Sequence, residues 1–301
     1  MPGYRHSALR YTGLILTCLF AAASPAAAAS LDYVATYVWA MPQDPDFGGF
    51  SGIELSEDGS GFHALTDRAH LYWGSVDRDP SGRIRGMNVA GRAHLQDSKG
   101  NPLRAGRLGD SEGLAIAEDG RIWVSFEGLD RLAAYDDPDQ PAQRIPEPPI
   151  LREMRLNAGM EALAIQPDGT LLTMPERSGA QDRPFPVLRY RAGKWDQPFS
   201  LPRDGDWLPV GADMGPDGWL YLLERDFHGL MGFSSRVRRF RPGPDSMGEG
   251  EVLLTTRPLQ YDNLEGISVW QDAQGLRITM ISDDNFLFVQ RTELVEYRLV
   301  E

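Results

Sequence analysis

The sequence predicts an all-β protein, built as a β-propeller of five blades. A stretch of about fifty residues recurs five times, and each copy contains two short apolar runs separated by a turn. The chain beyond residue 30 shows no amphipathic helical pattern. A period near fifty residues is typical of a repeat architecture, and small antiparallel sheets repeated radially form a propeller.

The five copies start at Ser51, Glu112, Glu161, Gly211 and Glu265, so that successive starts lie 61, 49, 50 and 54 residues apart. In the first four copies the turn is Asp-Gly, a strong hairpin signal between two apolar runs; in the fifth it is looser, at residues 272–275. The longer first interval leaves a six-bladed ring as the alternative, with a degenerate unit around residues 82–95.

The ring has to be closed, and the two ends of the chain predict how. The apolar run of residues 31–39 precedes the first copy and has no partner in its own repeat, whereas the last copy ends one strand short at Glu301. We therefore expect the N-terminal strand to join the last blade.

Residues 1–29 are predicted to be a secretory signal peptide, which leaves a propeller domain at residues 30–301. Two arginines precede an apolar run, and a run of small residues follows it. An uncleaved N-terminal anchor is the alternative. The single cysteine, Cys18, lies in this leader, so the exported protein would contain no disulfide. The expected location is periplasmic or secreted.

The charge of the chain restricts its partners. The formal net charge is −13, and the chain contains only two lysines and no basic run. This argues against nucleic acid as a partner, and against a membrane surface once the signal is cleaved. We expect a monomer that acts on a small anionic substrate or ligand, and an acidic chain also suits a divalent cation.

Acidic residues recur at two positions of the repeat, one before the first strand and one at the end of the second. Both positions lie at the same end of an antiparallel hairpin, and the first strand of a propeller blade lines the central channel. The acids are therefore predicted to converge on one mouth of that channel: Asp67, Glu112, Glu127, Glu161, Glu176, Glu224, Asp226, Glu265, Asp283 and Asp284, with Asn285 beside them.

Crowded carboxylates raise one another's pKa or bind a cation. Hard oxygen ligands favour Ca²⁺, with Mg²⁺ and Mn²⁺ as the less favoured ions. The predicted metal ligands are Glu112, Glu161, Glu265 and Asp283. The alternative is that the acids accept backbone N–H groups or form salt bridges between blades.

Three arginines follow or adjoin these acids, and guanidinium groups bind phosphate or carboxylate in a bidentate manner. Together with neighbouring polar residues they form the predicted substrate-binding set: Arg68, Arg177, Arg225, Asp67, Glu127, Glu176, Glu224, Asp284 and Asn285.

Two other signals receive less weight. "GDSEG" at residues 109–113 matches the G-x-S-x-G pattern, but a nucleophile elbow needs a helix after the serine, and here a strand is predicted after Ser111. His228 follows the acids of the fourth copy and is a candidate general acid, although a loop or packing role is favoured. The catalytic residues stay unassigned.

Several segments resemble the phytase-like family, described as having the esterase-like activity of phytase. They are "GGFSGIELSEDGSGFHALTDR", "DSEGLAIAEDGRIWVSFEG", "GMEALAIQPDGTLL", "PVGADMGPDGWLYLLERDF" and the ending "SDDNFLFVQRTELVEYRL". The resemblance implies a propeller in an extracytoplasmic setting, and no set of catalytic residues comes with it. The "EG" before the first strand is also similar to calcium-dependent gluconolactonases and paraoxonase-like propellers, where such a glutamate holds the metal.

The predicted function is an exported, calcium-dependent hydrolase of an anionic ester, with a phosphoester as the first choice. A lactonase or carboxylesterase using the same metal is the alternative enzyme. A non-catalytic propeller that binds a ligand on the same face is the third hypothesis, because the fold does not decide among these functions.

Overall fold

The computed structural model describes Met1, Gly3 and residues 28–149 and 159–301, so the predicted signal peptide lies almost entirely outside the described residues. The strands are β1 Ser30–Val38, β2 Phe50–Leu55, β3 Gly61–Thr66, β4 His70–Arg78, β5 Ile84–His94, β6 Ser111–Ile116, β7 Ile122–Phe126, β8 Arg131–Tyr135, β9 Gln143–Arg144, β10 Met160–Ile165, β11 Leu171–Pro175, β12 Phe185–Arg191, β13 Lys194–Leu201, β14 Leu208–Met214, β15 Leu220–Phe227, β16 Phe233–Phe240, β17 Glu251–Thr255, β18 Asn263–Asp272, β19 Gly275–Asp283 and β20 Glu293–Val300. A 3-10 turn covers Gly229–Met231. Over the described ranges, no helix is both long and apolar enough to span a membrane.

The strands form five four-stranded antiparallel sheets, which confirms the all-β, five-bladed propeller. Blade 1 is β2–β5, blade 2 is β6–β9, blade 3 is β10–β13 and blade 4 is β14–β17. Blade 5 contains β18, β19 and β20, and its outer strand is β1, which pairs with β20 from Ser30↔Val300 to Val38↔Glu293. The predicted closure of the ring by the N-terminal strand is thus confirmed.

The six-bladed alternative is excluded by the position of residues 84–94. They form β5, the fourth strand of blade 1, and pair with β4 from His70↔His94 to Arg78↔Ile84. These two strands have 9 and 11 residues, whereas β8 and β9 of blade 2 have 5 and 2. The longer first interval of the repeat therefore reflects longer outer strands and contains no further blade.

The innermost strands β2, β6, β10, β14 and β18 contact one another around the axis. Four of the five inner strands have a glycine at the same place (Gly52, Gly113, Gly211 and Gly266) because the neighbouring strand passes too close for a side chain, whereas blade 3 has Ala162 there. A Cβ on Gly113 would lie 2.5 Å from the carbonyl oxygen of Glu161, and one on Gly211 would lie 2.4 Å from that of Glu265. The cavity at this level is only about 10 Å³, so the channel is closed at its waist and has two separate mouths.

The hydrophobic core lies between the blades. In one cluster Tyr221 and Val237 of blade 4 pack with Ile278 and Met280 of blade 5. Four further clusters of buried side chains occur around the ring, as expected when each sheet buries both faces against its neighbours. This packing holds the ends of the inner strands in fixed positions, and the candidate site is built on those ends.

Candidate functional site

Each inner strand contains a β-bulge at the same repeat position. The register of the inner hairpin shifts between Phe50 and Gly52, Ser111 and Leu114, Met160 and Ala162, Pro209 and Gly211, and Leu264 and Gly266. A bulge leaves one residue outside the ladder and turns its side chain away from the regular alternation. The residues at this position are Ser51, Glu112, Glu161, Val210 and Glu265. The fourth copy is thus aligned by Val210, one residue before the Gly211 that the sequence comparison used.

The end of the second strand supplies the other repeat position, as predicted. Backbone N–H groups of Asp67, Glu127 and Glu176 donate to the residue that precedes the inner strand, over 2.7, 2.8 and 3.1 Å. The register pairs Leu208 with Arg225 and Asn263 with Asp283, so the equivalent residues of blades 4 and 5 are Arg225 and Asp283. We call the surface formed by both repeat positions the acidic mouth. Blade 4 contributes a cation to it.

Arg225 neutralises one side of the acidic mouth. Its Nη1 donates to Glu265 Oε1 and, over 3.1 Å, to Asn263 Oδ1, and its Nη2 donates to Glu176 Oε1 over 3.1 Å. Burial opposes the charge of the guanidinium, but the fields of Glu265, Glu161 and Glu176 outweigh it and raise the pKa of Arg225. A buried arginine shared by two blades is a strong electrostatic anchor.

The opposite side of the mouth contains a carboxylate triad to which no cation among the described residues bonds. Asp110, Glu112 and Glu127 each offer one oxygen, and these oxygens lie within 4.8 Å of one another. Within the described ranges, no hydrogen bond reaches any of the three carboxylates. The pKa of Glu112 is raised well above its usual value by burial and by the charges of Glu161, Glu265 and the other two triad members. Three converging oxygen donors fit a hard divalent cation such as Ca²⁺.

Burial also raises the pKa of Asp110 and Glu127. Uncompensated carboxyl groups at such a site either keep protons near neutral pH or bind a cation that displaces them. The triad is therefore the part of the mouth where the prediction of a metal site has its best geometric support.

The remaining predicted ligands face the same mouth in different surroundings. The pKa of Glu161 is raised well above normal by burial and by Glu176, against the lowering effect of Arg225. Burial and the charge of Glu265 raise the pKa of Asp283 to about 8, although the backbone N–H of Asn285 donates to this carboxylate over 2.6 Å.

Asp67 sits between the two sides of the acidic mouth. Burial raises its pKa to about 7, against the lowering effect of the adjacent Arg68, and its Oδ1 has no hydrogen-bond partner in the described part of the chain. A carboxyl group with this pKa can accept or donate a proton near neutral pH.

Two predicted acids of blade 4 do not join the acidic mouth. Glu224 is fully buried, where it accepts bonds from Arg236 Nε at 2.8 Å and Arg238 Nε at 2.7 Å, both on β16 of its own blade. Asp226 lies 3.6 Å from His228 Nε2 at the outer turn of the blade. Glu224, a member of the substrate-binding set predicted from the sequence, thus has its oxygens bonded to arginines of the same sheet.

The other predicted substrate-binding residues are at or near the mouth. Arg68 is exposed, and its guanidinium stacks over the ring of Phe286, 3.3 Å from the centroid. Arg177 is exposed too, and its Nε donates to Glu176 over 3.0 Å. Asp284 accepts the N–H groups of Gly49, at 2.9 Å, and Phe286, at 3.1 Å.

Asn285 lies in the same loop, between β19 and β20. It lies in the left-handed region at φ 48°, and no hydrogen bond to its side chain occurs in the described residues. Asp284 and Asn285 therefore shape the β19–β20 loop that carries Phe286 beside the mouth.

The structure gives Ser111 a packing role. Its side chain is fully buried, and its Oγ donates to the carbonyl oxygen of Thr66 over 2.6 Å and accepts the N–H of Ala69 over 3.0 Å. His228 Nε2 lies 3.1 Å from Ser234 Oγ in the turn before β16.

Asp110 is the site residue that the sequence comparison missed. It stands inside the "GDSEG" segment, just before β6, and its carbonyl oxygen accepts the N–H of Glu127. Because Asp110 precedes β6, as Glu112 nearly does, the sequence already places it as a third acid at the same end of the hairpin.

Together, the fold and the site define a five-bladed β-propeller with a carboxylate-rich channel mouth that is suited to a divalent cation. The chain belongs to the phytase-like family: the family model described as "Esterase-like activity of phytase" matches residues 45–286. This confirms the family resemblance noted in the sequence. No curated protein matches the chain.

Solved structures share the fold at low sequence identity. The PQQ-bound aldose sugar dehydrogenase of Streptomyces coelicolor aligns with a TM-score of 0.50 and 12% identity, covering 92% of this chain and 100% of that chain. The α-L-arabinofuranosidase PaAbf62A of Podospora anserina, in complex with cellotriose, aligns with a TM-score of 0.50 and 13% identity over 85% and 93% of the two chains. At these identities the likeness concerns the propeller fold.

Proposed function

We propose that the protein is an exported, divalent-cation-dependent hydrolase of an anionic ester, with a phosphoester as the preferred substrate and Ca²⁺ as the preferred ion. The observation that carries the proposal is the triad of Asp110, Glu112 and Glu127, whose oxygens converge within 4.8 Å and form no ion pair with any of the described residues. Membership of a family described by esterase-like activity supports ester chemistry.

The arrangement of the arginines favours an anionic substrate. The triad belongs to blade 2, and the flanking blades 1 and 3 carry the exposed Arg68 and Arg177 directly after their second strands. In blade 2 the same position is Gly128, and Arg107 packs against it, with its Nε donating to the carbonyl oxygen of Gly128 over 3.0 Å. An anion held at the triad would thus have a guanidinium on either side, a geometry that suits phosphate.

The chain's own groups would divide the work as follows. Asp110, Glu112 and Glu127 would hold the cation, which when bound polarises an ester oxygen and lowers the pKa of water. Arg68 and Arg177 would orient the anionic group. Asp67, with a pKa of about 7, would take up or release a proton close to neutral pH.

The test is a comparison of substrates with the full-length chain. Phosphate release from phytate and p-nitrophenyl phosphate is measured with Ca²⁺, Mg²⁺ or Mn²⁺ and with a chelator, beside the opening of δ-gluconolactone. We expect cation-dependent phosphate release that is lost in Glu112→Gln and kept in Glu118→Gln, which changes an exposed glutamate in a turn at the other end of the blade.

Two results would contradict the proposal. Lactone opening without phosphate release would show a lactonase on the same residues. Failure to turn over any substrate of an ester panel, with the cation demonstrably bound, would show a binding protein.

A further inference from the structure

The mouth on the other side of the waist opens into a cavity of about 700 Å³, a size typical of small-molecule sites. It is enclosed by the far ends of inner strands and by the first hairpin turns of the blades. Two acids, Glu54 and Asp213, lie on the inner strands, and four more lie in the turns at the rim: Glu57, Glu118, Asp119 and Asp168. Among the described residues, no lysine, arginine or histidine lines this cavity.

Glu54 is buried yet poorly bonded. It is 9% exposed, and its Oε2 accepts one long bond of 3.4 Å from Ser268 Oγ. Its Oε1 has no hydrogen-bond partner within the described ranges. A buried carboxyl group without partners is costly, because desolvation is not offset by bonds. The burial and the nearby charge of Asp213 raise the pKa of Glu54 well above normal.

Asp213, by contrast, is firmly held. Its Oδ1 accepts the N–H of Met214 over 2.7 Å, and its Oδ2 accepts the N–H of Val269 over 2.6 Å. These bonds fix the carboxyl group on the wall of the cavity, where it adjoins the same inner strand, β18, whose Ser268 contacts Glu54. The two strands thus present a pair of acids, one rigid and one with a free oxygen.

The rest of the wall is largely aliphatic, with Leu55, Ile116, Ile165, Met214 and Val269 among the lining residues. A hard ion such as Ca²⁺ would use the carboxylate oxygens alone and leave the aliphatic wall without a partner. An ammonium ion on an alkyl chain matches the surface better, since its head can pair with carboxylates while its carbons cover the aliphatic wall.

We propose that this cavity binds an organic ammonium ion, and specifically a short aliphatic diamine. One ammonium group lies between Glu54 and Asp213, the alkyl chain runs along the aliphatic wall, and the second ammonium group lies among the acids of the rim. This site is separated from the acidic mouth by the closed waist of the channel, so it is independent of the proposed hydrolase function.

The experiment is a calorimetric titration of the full-length chain with 1,4-diaminobutane. We expect saturable binding, weaker binding of n-butylamine, and no binding of 1,4-butanediol, which has the same carbon chain without charge. Glu54→Gln should weaken diamine binding at least tenfold while the melting temperature stays equal or rises, because the change removes a poorly partnered buried acid.

Two controls separate this site from general acidity. Glu249→Gln removes one charge from an exposed loop between β16 and β17 that does not line the cavity, and should leave diamine affinity unchanged. Glu112→Gln should impair cation binding at the acidic mouth and leave diamine affinity unchanged. The proposal is overturned by equal diamine affinity in Glu54→Gln and the parent, by no diamine binding up to millimolar concentration, or by Ca²⁺ binding that is lost in Glu54→Gln.

Discussion

Blades 2 and 4 occupy the same ring and repeat the same hairpin, yet they present opposite charges at the acidic mouth. The two repeat positions are Glu112 and Glu127 in blade 2, and Val210 and Arg225 in blade 4. Blade 2 therefore gathers three carboxylates that have no hydrogen-bond partner in the described part of the chain, while blade 4 supplies a guanidinium that bonds to acids of the blades on both sides.

This difference shows that the repeat determines where side chains lie, whereas the residue type at each position varies from blade to blade. Arg225 reaches Glu176 of blade 3 and Glu265 of blade 5, and its neutralisation of these acids makes the mouth lopsided. The carboxylates that have no hydrogen-bond partner among the described residues are concentrated at blade 2. The predictions below test this asymmetry.

The largest effect is expected from Arg225→Gln. This change leaves Glu265 and Glu176 buried without their cation, and breaking a buried ion pair from one side costs about 3 kcal/mol of unfolding free energy. Denaturant unfolding measures the loss. Arg68→Gln, at an exposed arginine, is the control and should change the unfolding free energy by less than about 1 kcal/mol. Equal losses in both variants would contradict the role of blade 4.

The second effect concerns cation binding by blade 2. Glu112→Gln and Glu127→Gln should each lower Ca²⁺ affinity at least tenfold, about 1.4 kcal/mol, because each removes a donor of the triad. Glu265→Gln should have a smaller effect, since Arg225 already bonds to that carboxylate. Calorimetric titration measures the Ca²⁺ affinity of each variant, and Glu118→Gln, which should not change it, is the control. If Glu265→Gln were the most damaging change, the metal would lie at blade 5 instead.

The third effect is on the pH dependence of stability. The pKa values of Asp67 and Asp283 are raised to about 7 and about 8, so the folded state binds more protons than the unfolded state between their normal and raised values. Unfolding free energy must then fall as the pH rises through this window. In a chelating buffer we expect the melting temperature to decrease from pH 5 to pH 8, and Ca²⁺ to reduce that decrease. A melting temperature that rises over this range would show that the acids are already compensated.

The smallest effect is expected at the arginines that flank blade 2. Arg68→Gln and Arg177→Gln should each raise KM for p-nitrophenyl phosphate several-fold with little change in kcat, because both arginines are exposed and would bind the anion in ground and transition states alike. Steady-state kinetics measures this split. A similar KM increase for an uncharged ester would mean that the arginines act through folding and not through the phosphate.

Much of this architecture follows from the sequence because its signals are local. The fifty-residue period, the Asp-Gly turns and the unpaired strand at residues 31–39 predicted the five blades and their closure. The antiparallel hairpin alone requires that an acid before one strand and an acid after the next lie at the same end. Glu112, Glu127, Glu161, Glu176 and Glu265 were placed at one mouth on that basis.

Only the tertiary structure determines which side chains bond to each other. Glu224 and Arg225 are adjacent in sequence, but side chains alternate along a strand: Glu224 meets Arg236 and Arg238, while Arg225 meets the acids of the neighbouring blades. Asp110 joined the triad because of the register of β6 with β7. The position of a residue in the repeat follows from the local sequence. The balance of buried charge depends on which blades lie side by side, and no single repeat contains that information.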